Sequence, residues 1–315
     1  MRKFSVTACA LSAGLGMLAV GCGQIDMLNS KMAFKDANGL YQAQDYRGAV
    51  EKYKEALALD EAGTGPAGAY FFMANSSDNL FRPAKKGEPA NDQFLTDAVE
   101  GYRKAAEKSA DPKIKQLALE YLVAAYNNPD KLNDPGQAEP ILLKMIELDP
   151  KDTANMFALA KIYEDSGIYD QAEQMLVKAR ETSPNEPAVY MQLAGYYNRQ
   201  GDFEKLVENL RKRIELEPQN PEAHYTLATY HWDKASRDFR LSDKEKLQLV
   251  LDGLAAVNKA LEIKADYVEA MTYKGLLLRT QALVEKDPKK QQELIREGTA
   301  LGDKANEMRK ARAGN

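Results

Sequence analysis

Histidine and cysteine, the side chains most often used as soft metal ligands and activated nucleophiles, are scarce in this 315-residue chain, which has two of each. His224 and His231 stand seven positions apart. On a helix that is about 10.5 Å along the axis, too far for both to hold one ion at bonds of about 2 Å without further ligands. They occupy the places that Tyr190 and Tyr197 hold 34 residues earlier, so packing is the expected role. The stretch GTGPAG at 63–68 lacks the Lys-Ser/Thr ending of a phosphate loop and follows a helical pattern, so it reads as a joint. Acidic side chains abound, but none is marked as half of an acid–base couple, and exposed helical carboxylates are the default. The expectation is a chain without catalytic residues, metal or cofactor.

The cysteines point to a different chemistry. Arg2 and Lys3 precede an uncharged run from Phe4 to Gly23, the pattern of a secretory signal. Its end, LAVGC, resembles a bacterial lipobox, with Ala19 where Leu is usual, Gly21 before the cleavage point and Cys22 as lipid acceptor. The resemblance implies a signal peptide over 1–21 and a lipidated Cys22. With Gly23 following in place of Asp, it also implies the periplasmic face of the outer membrane of a Gram-negative bacterium. Residues 22–30 then read as a short linker, whose nine residues reach about 30 Å if extended. Cys9 falls inside the signal, so no intramolecular disulfide is expected and stability must come from burial.

Charge excludes one class of partner. The formal net charge of −4 becomes −6 without Arg2 and Lys3, and the 29% of charged residues form no long block of one sign. Nucleic-acid binding requires clustered positive charge. The basic ending KANEMRKARAGN, with a tail at 311–315, reads as a solubilising terminus.

The elements that would position any site repeat at a fixed step. Ala160, Ala194 and Ala228 are 34 residues apart, as are Leu159, Leu193 and Leu227, and Pro150, Pro184 and Pro218. Met156, Tyr190 and His224 keep the step, as do Tyr163, Tyr197 and His231, and Gly167 with Gly201. Such a period indicates helix pairs stacked in series. Within 153–184, Met156, Leu159, Ala160 and Tyr163 recur at i, i+3, i+4 and i+7, one apolar face of a helix. Gly167 supplies a left-handed turn, Tyr169, Ala172, Leu176 and Ala179 mark a second apolar face, and Pro184 ends it.

These residues resemble the tetratricopeptide repeat family, which has a small residue at position 8, an aromatic at 11, Gly at 15, Ala at 20 and 27, and Pro at 32. Units 153–186 and 187–220 match nearly throughout, with Leu206 at position 20 and Arg213 at position 27 as exceptions. The implied fold is an all-α, right-handed superhelical solenoid of antiparallel helix pairs. About seven units are expected, near 31–61, 66–110, 113–150, 153–186, 187–220, 221–265 and 267–310. Units two, three, six and seven carry their extra residues between first and second helix, which should thicken one edge of a stacked array.

In that family, first-helix residues at positions 2, 5, 9, 12 and 13 line a groove for peptides. Carried over, the groove comprises Phe34, Asn38, Tyr41, Phe71, Asn75, Phe157, Lys161, Met191, Asn198, Arg199, Tyr225 and Trp232. Ring area would supply energy, and amides and charges would set register. The clamp by which some relatives hold chaperone carboxylates is missing, since Phe34 stands where it needs Lys. The resemblance implies a non-catalytic, membrane-anchored adaptor for protein or peptide partners in the cell envelope. A carrier of a glycan or lipid within the solenoid is the alternative.

Overall fold

The computed structural model describes residues 13–59 and 68–313, with side chains from Gln24 to Arg312 outside that gap. Most of the expected signal peptide, the side chain of Cys22, most of the GTGPAG joint and the end of the tail lie outside the described residues. The described residues hold fourteen α-helices and no strand, as an all-α repeat array requires. These are α1 (Ala13–Gln42), α2 (Tyr46–Leu59), α3 (Ala69–Leu80), α4 (Pro89–Lys108), α5 (Pro112–Asn127), α6 (Pro135–Leu148) and α7 (Thr153–Asp165). There follow α8 (Tyr169–Thr182), α9 (Pro187–Gln200), α10 (Phe203–Leu216), α11 (Pro221–Arg237), α12 (Asp243–Ile263), α13 (Val268–Val284) and α14 (Pro288–Ala313).

Local chemistry sets these boundaries. Proline stands at the first turn of α4, α5, α6, α9 and α11, where its missing N–H costs nothing and its φ is already helical. Asp111, Asp152, Asp202 and Asn220 cap α5, α7, α10 and α11 through their side chains, and Ser242 and Glu245 form a capping box on α12. Pro150, Pro184 and Pro218 each follow two residues after the ends of α6, α8 and α10. Gly167 and Gly201 adopt φ of 74° and 76°, the left-handed turn their spacing predicts.

The described residues form two compact units, one ending at Ile168 and the other beginning at Tyr169. The division falls inside the repeat delimited as 153–186. In the first unit each helix from α1 to α7 packs on its neighbour in sequence, and in the second the same holds from α8 to α14. Alanines at the contacts let helices approach closely: Ala37, Ala49, Ala56, Ala74 and Ala98 are fully buried in the first unit, and Ala194, Ala228 and Ala260 in the second. Arg213, the exception at an alanine position, is buried too, and is neutralised by Glu217, which also accepts from Asn220.

Two features differ from or sharpen the reading of the sequence. Residues 24–30, expected as part of a linker, are helical, because α1 runs unbroken into the first repeat. Nine helical residues advance only about 13 Å. In the first unit the lengthened turns after α3 and α5 do share an edge: Lys86 Nζ donates to the carbonyl of Pro129 at 3.1 Å.

Candidate functional site

The groove residues of the first unit are drawn into a polar network. Tyr41 Oη donates to Asn75 Oδ1 at 2.7 Å, and Asn75 Nδ2 donates to Tyr102 Oη at 3.2 Å. Tyr102 Oη lies 3.4 Å from Asp78 Oδ2, and Lys131, from the turn after α5, closes the chain on Asp78 Oδ1 at 2.5 Å. Phe71, Tyr102 and Tyr121 pack ring against ring around it, with centroids 5.2–5.7 Å apart. Burial, and after it the charge of Asp78, raises the pKa of Tyr102 far above a free phenol, so it remains a neutral donor. Asn75 is 6% exposed and Phe71 5%. Both were expected to contact a peptide; both are interior, because amide and ring are already used in joining α1, α3 and α4. Asn38 accepts from Tyr53 Oη at 2.7 Å, Phe34 tilts against the Tyr53 ring at 5.8 Å, and both remain half-buried. On α7, Phe157 is half-buried, and Lys161 is exposed and paired with Asp165.

In the second unit the structure gathers Tyr225 and Trp232 of α11 with two rings that the repeat pattern did not single out. Tyr225 meets Tyr267 at 5.1 Å and Tyr273 at 5.4 Å, and Trp232 meets Tyr273 edge-on at 5.4 Å. Burial pushes the Tyr225 phenol up to about 12, so this ring carries no charge at neutral pH. Tyr225, Trp232 and Tyr273 are each half-buried, leaving part of their area uncovered. Met191 is half-buried and receives a contact from Arg213 Nη1 at 3.3 Å, while Asn198 and Arg199 are exposed at the end of α9. The aromatic content of 267–273 was visible in the sequence. Its convergence on α11 was not, since the turn between α11 and α12 breaks the 34-residue step.

A second arrangement recurs between repeats. Tyr163 Oη donates to Glu139 Oε1 at 2.8 Å in the first unit, and Tyr197 Oη donates to Glu173 Oε1 at 2.6 Å in the second. Each pair spans 24 residues. The Tyr197 hydrogen bond, then that from Lys205, holds the Glu173 carboxyl below its usual range. One step further along, the same places are taken by His231 and Val207. Val207 offers no acceptor, and both imidazole nitrogens of His231 are buried without a hydrogen-bond partner. The ring rests edge-on against Phe203 at 5.5 Å, beside a cleft of about 680 Å³.

Burial depresses the His231 pKa below its ordinary 6.5; Asp252 opposes the shift and Arg211 adds to it. The unfolded chain therefore binds the proton first, and stability is full above pH 6.5 and declines as pH falls below it. The double variant Val207→Glu/His231→Tyr is expected to restore the hydrogen bond and gain about 0.5–1.5 kcal/mol at pH 7.5. Its unfolding midpoint should also fall less between pH 7.5 and 5.5 than that of the wild type. Parallel declines in urea titrations at the two pH values would refute this account of His231.

Serial helix pairs, alanine contacts and glycine turns define a class of helical repeat protein, and comparison with known proteins agrees. Two family models described as "Tetratricopeptide repeat" match residues 131–195 and 187–230. Residues 131–230 of this chain therefore carry tetratricopeptide repeats. No curated protein matches it in sequence. Among solved structures it is similar to the C-terminal part of a tetratricopeptide repeat-containing protein from Cytophaga hutchinsonii, with 15% identity and a TM-score of 0.58 over 87% of this chain and 98% of that one. A tetratricopeptide repeat protein from Parabacteroides merdae gives 13% identity and a TM-score of 0.46, over 86% and 99%. YrrB, described as a TPR protein with an unusual peptide-binding site, gives 21% and 0.42, over 62% and 89%.

Proposed function

We propose that this protein is a non-catalytic adaptor, anchored to the periplasmic face of a bacterial outer membrane through Cys22, that binds peptide segments of envelope proteins. The observation that carries the binding reading is the half-buried patch of Tyr225, Trp232 and Tyr273 on α11 and α13. Rings already held by their neighbours lose little entropy on binding, and their uncovered area supplies energy to an apolar or aromatic side chain. The anchor reading rests on Arg2, Lys3, the uncharged run and the LAVGC ending. A carrier of lipid is less well supported, because the 680 Å³ cleft of the second unit is lined by Arg180, Glu204, Glu208, Arg211, Lys212 and Asp252. Burying charged side chains against a lipid is costly.

In-cell crosslinking followed by identification of what copurifies in detergent tests the adaptor reading. The Tyr225→Ala/Trp232→Ala variant is expected to keep its helical circular dichroism while partner recovery falls at least about tenfold, the loss of one anchor contact worth about 1.4 kcal/mol or more. Undiminished recovery would refute the patch as the binding site. For the anchor, Cys22→Ser should move the protein from the membrane pellet to the soluble fraction, and unchanged retention would count against acylation.

A further inference from the structure

The first helix carries two stripes. Ser30, Ala33 and Ala37, at i, i+3 and i+7, are buried, and Ser30 Oγ donates to the carbonyl of Ala56 at 2.7 Å, so this stripe is satisfied by α2. A second stripe has the same spacing and no cover: Ile25, Leu28 and Met32 are 59%, 59% and 58% exposed. Met27 is exposed as well but points away from this ridge by helical geometry. The exposed side chains of Lys31 and Lys35 border the ridge on one side, and those of Asn29 and Asp36 on the other. Three large apolar side chains in a row on one helix face are a surface awaiting a partner, not scattered surface hydrophobics.

We infer that this ridge lies against the lipid bilayer, in the headgroup layer, so that α1 runs along the membrane and does not stand up from it. The inference rests on the anchor reading above and extends it. Cys22 precedes Ile25 by three residues on the same continuous helix. Along the axis, the three ridge residues lie about 4.5 to 15 Å from the point of lipid attachment. A lipidated Cys22 therefore puts a bilayer beside this ridge before any protein partner is considered. An upright helix would hold Met32 about 15 Å above the attachment point, out of reach of the acyl boundary, whereas a recumbent one brings all three in. Lys31 and Lys35 would then extend along the surface toward anionic headgroups. The two or more acyl chains expected at such a cysteine hold the protein at the bilayer, and an apolar ridge next to them removes the freedom of a tether.

The test uses the full-length protein as its host makes it, reconstituted in vesicles of phosphatidylethanolamine and phosphatidylglycerol. Single cysteines are placed by Ile25→Cys, Leu28→Cys or Met32→Cys, with Lys31→Cys and Lys35→Cys as controls, and labelled with a nitroxide. The expected result is a severalfold higher ratio of oxygen to aqueous nickel-chelate accessibility at 25, 28 and 32 than at 31 and 35. Equal ratios in protein retained by the vesicles would overturn the ridge and leave the anchor standing. Spin–spin broadening at position 28 that disappears on dilution with unlabelled protein would assign the ridge to a second copy instead. Labelling of Cys22 in the unsubstituted protein would show a free thiol and refute the anchor, while the ratios on the same vesicles still decide the ridge.

Discussion

Asn75→Leu is expected to destabilise the first unit by about 2–4 kcal/mol, because two buried or half-buried hydroxyls lose their partner at once. Leucine has the same side-chain branching and heavy-atom count as asparagine but bulkier methyls, so the change leaves no cavity and adds some overpacking to the lost hydrogen bonds. Tyr41 Oη now donates to Asn75 Oδ1 at 2.7 Å, and Tyr102 Oη accepts from its amide at 3.2 Å. Tyr102 is fully buried and cannot turn to solvent; without Asn75 it keeps only the 3.4 Å approach to Asp78. The control Tyr41→Phe frees Asn75 Oδ1 to serve Asn79 alone and should cost only about 1 kcal/mol. Hydrogen exchange under mild urea would separate this effect from the second unit: amides of α3 and α4 should lose protection while those of α9 and α10 keep it. Equal protection in Asn75→Leu and wild type would show that the network contributes no net stability.

Gly298→Val should detach α14 from α13. A Cβ at Gly298 would lie 2.7 Å from the carbonyl oxygen of Gly275, and one at Gly275 would lie 2.6 Å from that of Gly298. The obstacle in both cases is backbone, which cannot turn aside as a flexible side chain can. Overpacking of this kind costs about 1–3 kcal/mol when side chains can adjust, and a backbone clash puts this case at the upper end or beyond. Losing α14 would uncover Val268 and Met271, which now pack with Ala305 and Met308. Gly302→Ala is the matched control, since its nearest neighbour is a flexible Arg279 nitrogen at 3.5 Å. Limited proteolysis should therefore cut Gly298→Val within 288–313 at least about tenfold faster than wild type, consistent with a loss of about 1.4 kcal/mol or more. Gly302→Ala should behave as wild type, and resistance of both variants would show that α14 is not held by this contact.

The glycine contact illustrates the limit of the sequence. The 34-residue step, the prolines and Gly167 with Gly201 were sufficient to read a helical repeat fold, because each acts on its own backbone or on the next turn of its own helix. The apolar faces were equally plain: Leu159, Ala160, Leu193 and Ala194 are buried where their period puts them. Gly275 and Gly298 gave no such signal, since each sits within a helix and only the crossing of α13 with α14 shows why a side chain is excluded there. The groove suffered the same limit. Family positions placed Phe71 and Asn75 on a binding face, and the residues that claim them, Tyr102 and Tyr121, come from helices whose offset depends on turns of irregular length.

What the sequence by itself determined was everything governed by short-range geometry: helices, their ends and the serial pairing. Tertiary structure decided which polar groups satisfy one another at long range. It joined Lys131 to Asp78 across 53 residues, left His231 without the acceptor that Tyr163 and Tyr197 have, and left Ile25, Leu28 and Met32 uncovered. The physical reason is that a periodic pattern specifies which face of a helix is apolar, whereas a hydrogen bond or a bare ridge depends on where the neighbouring helix ends.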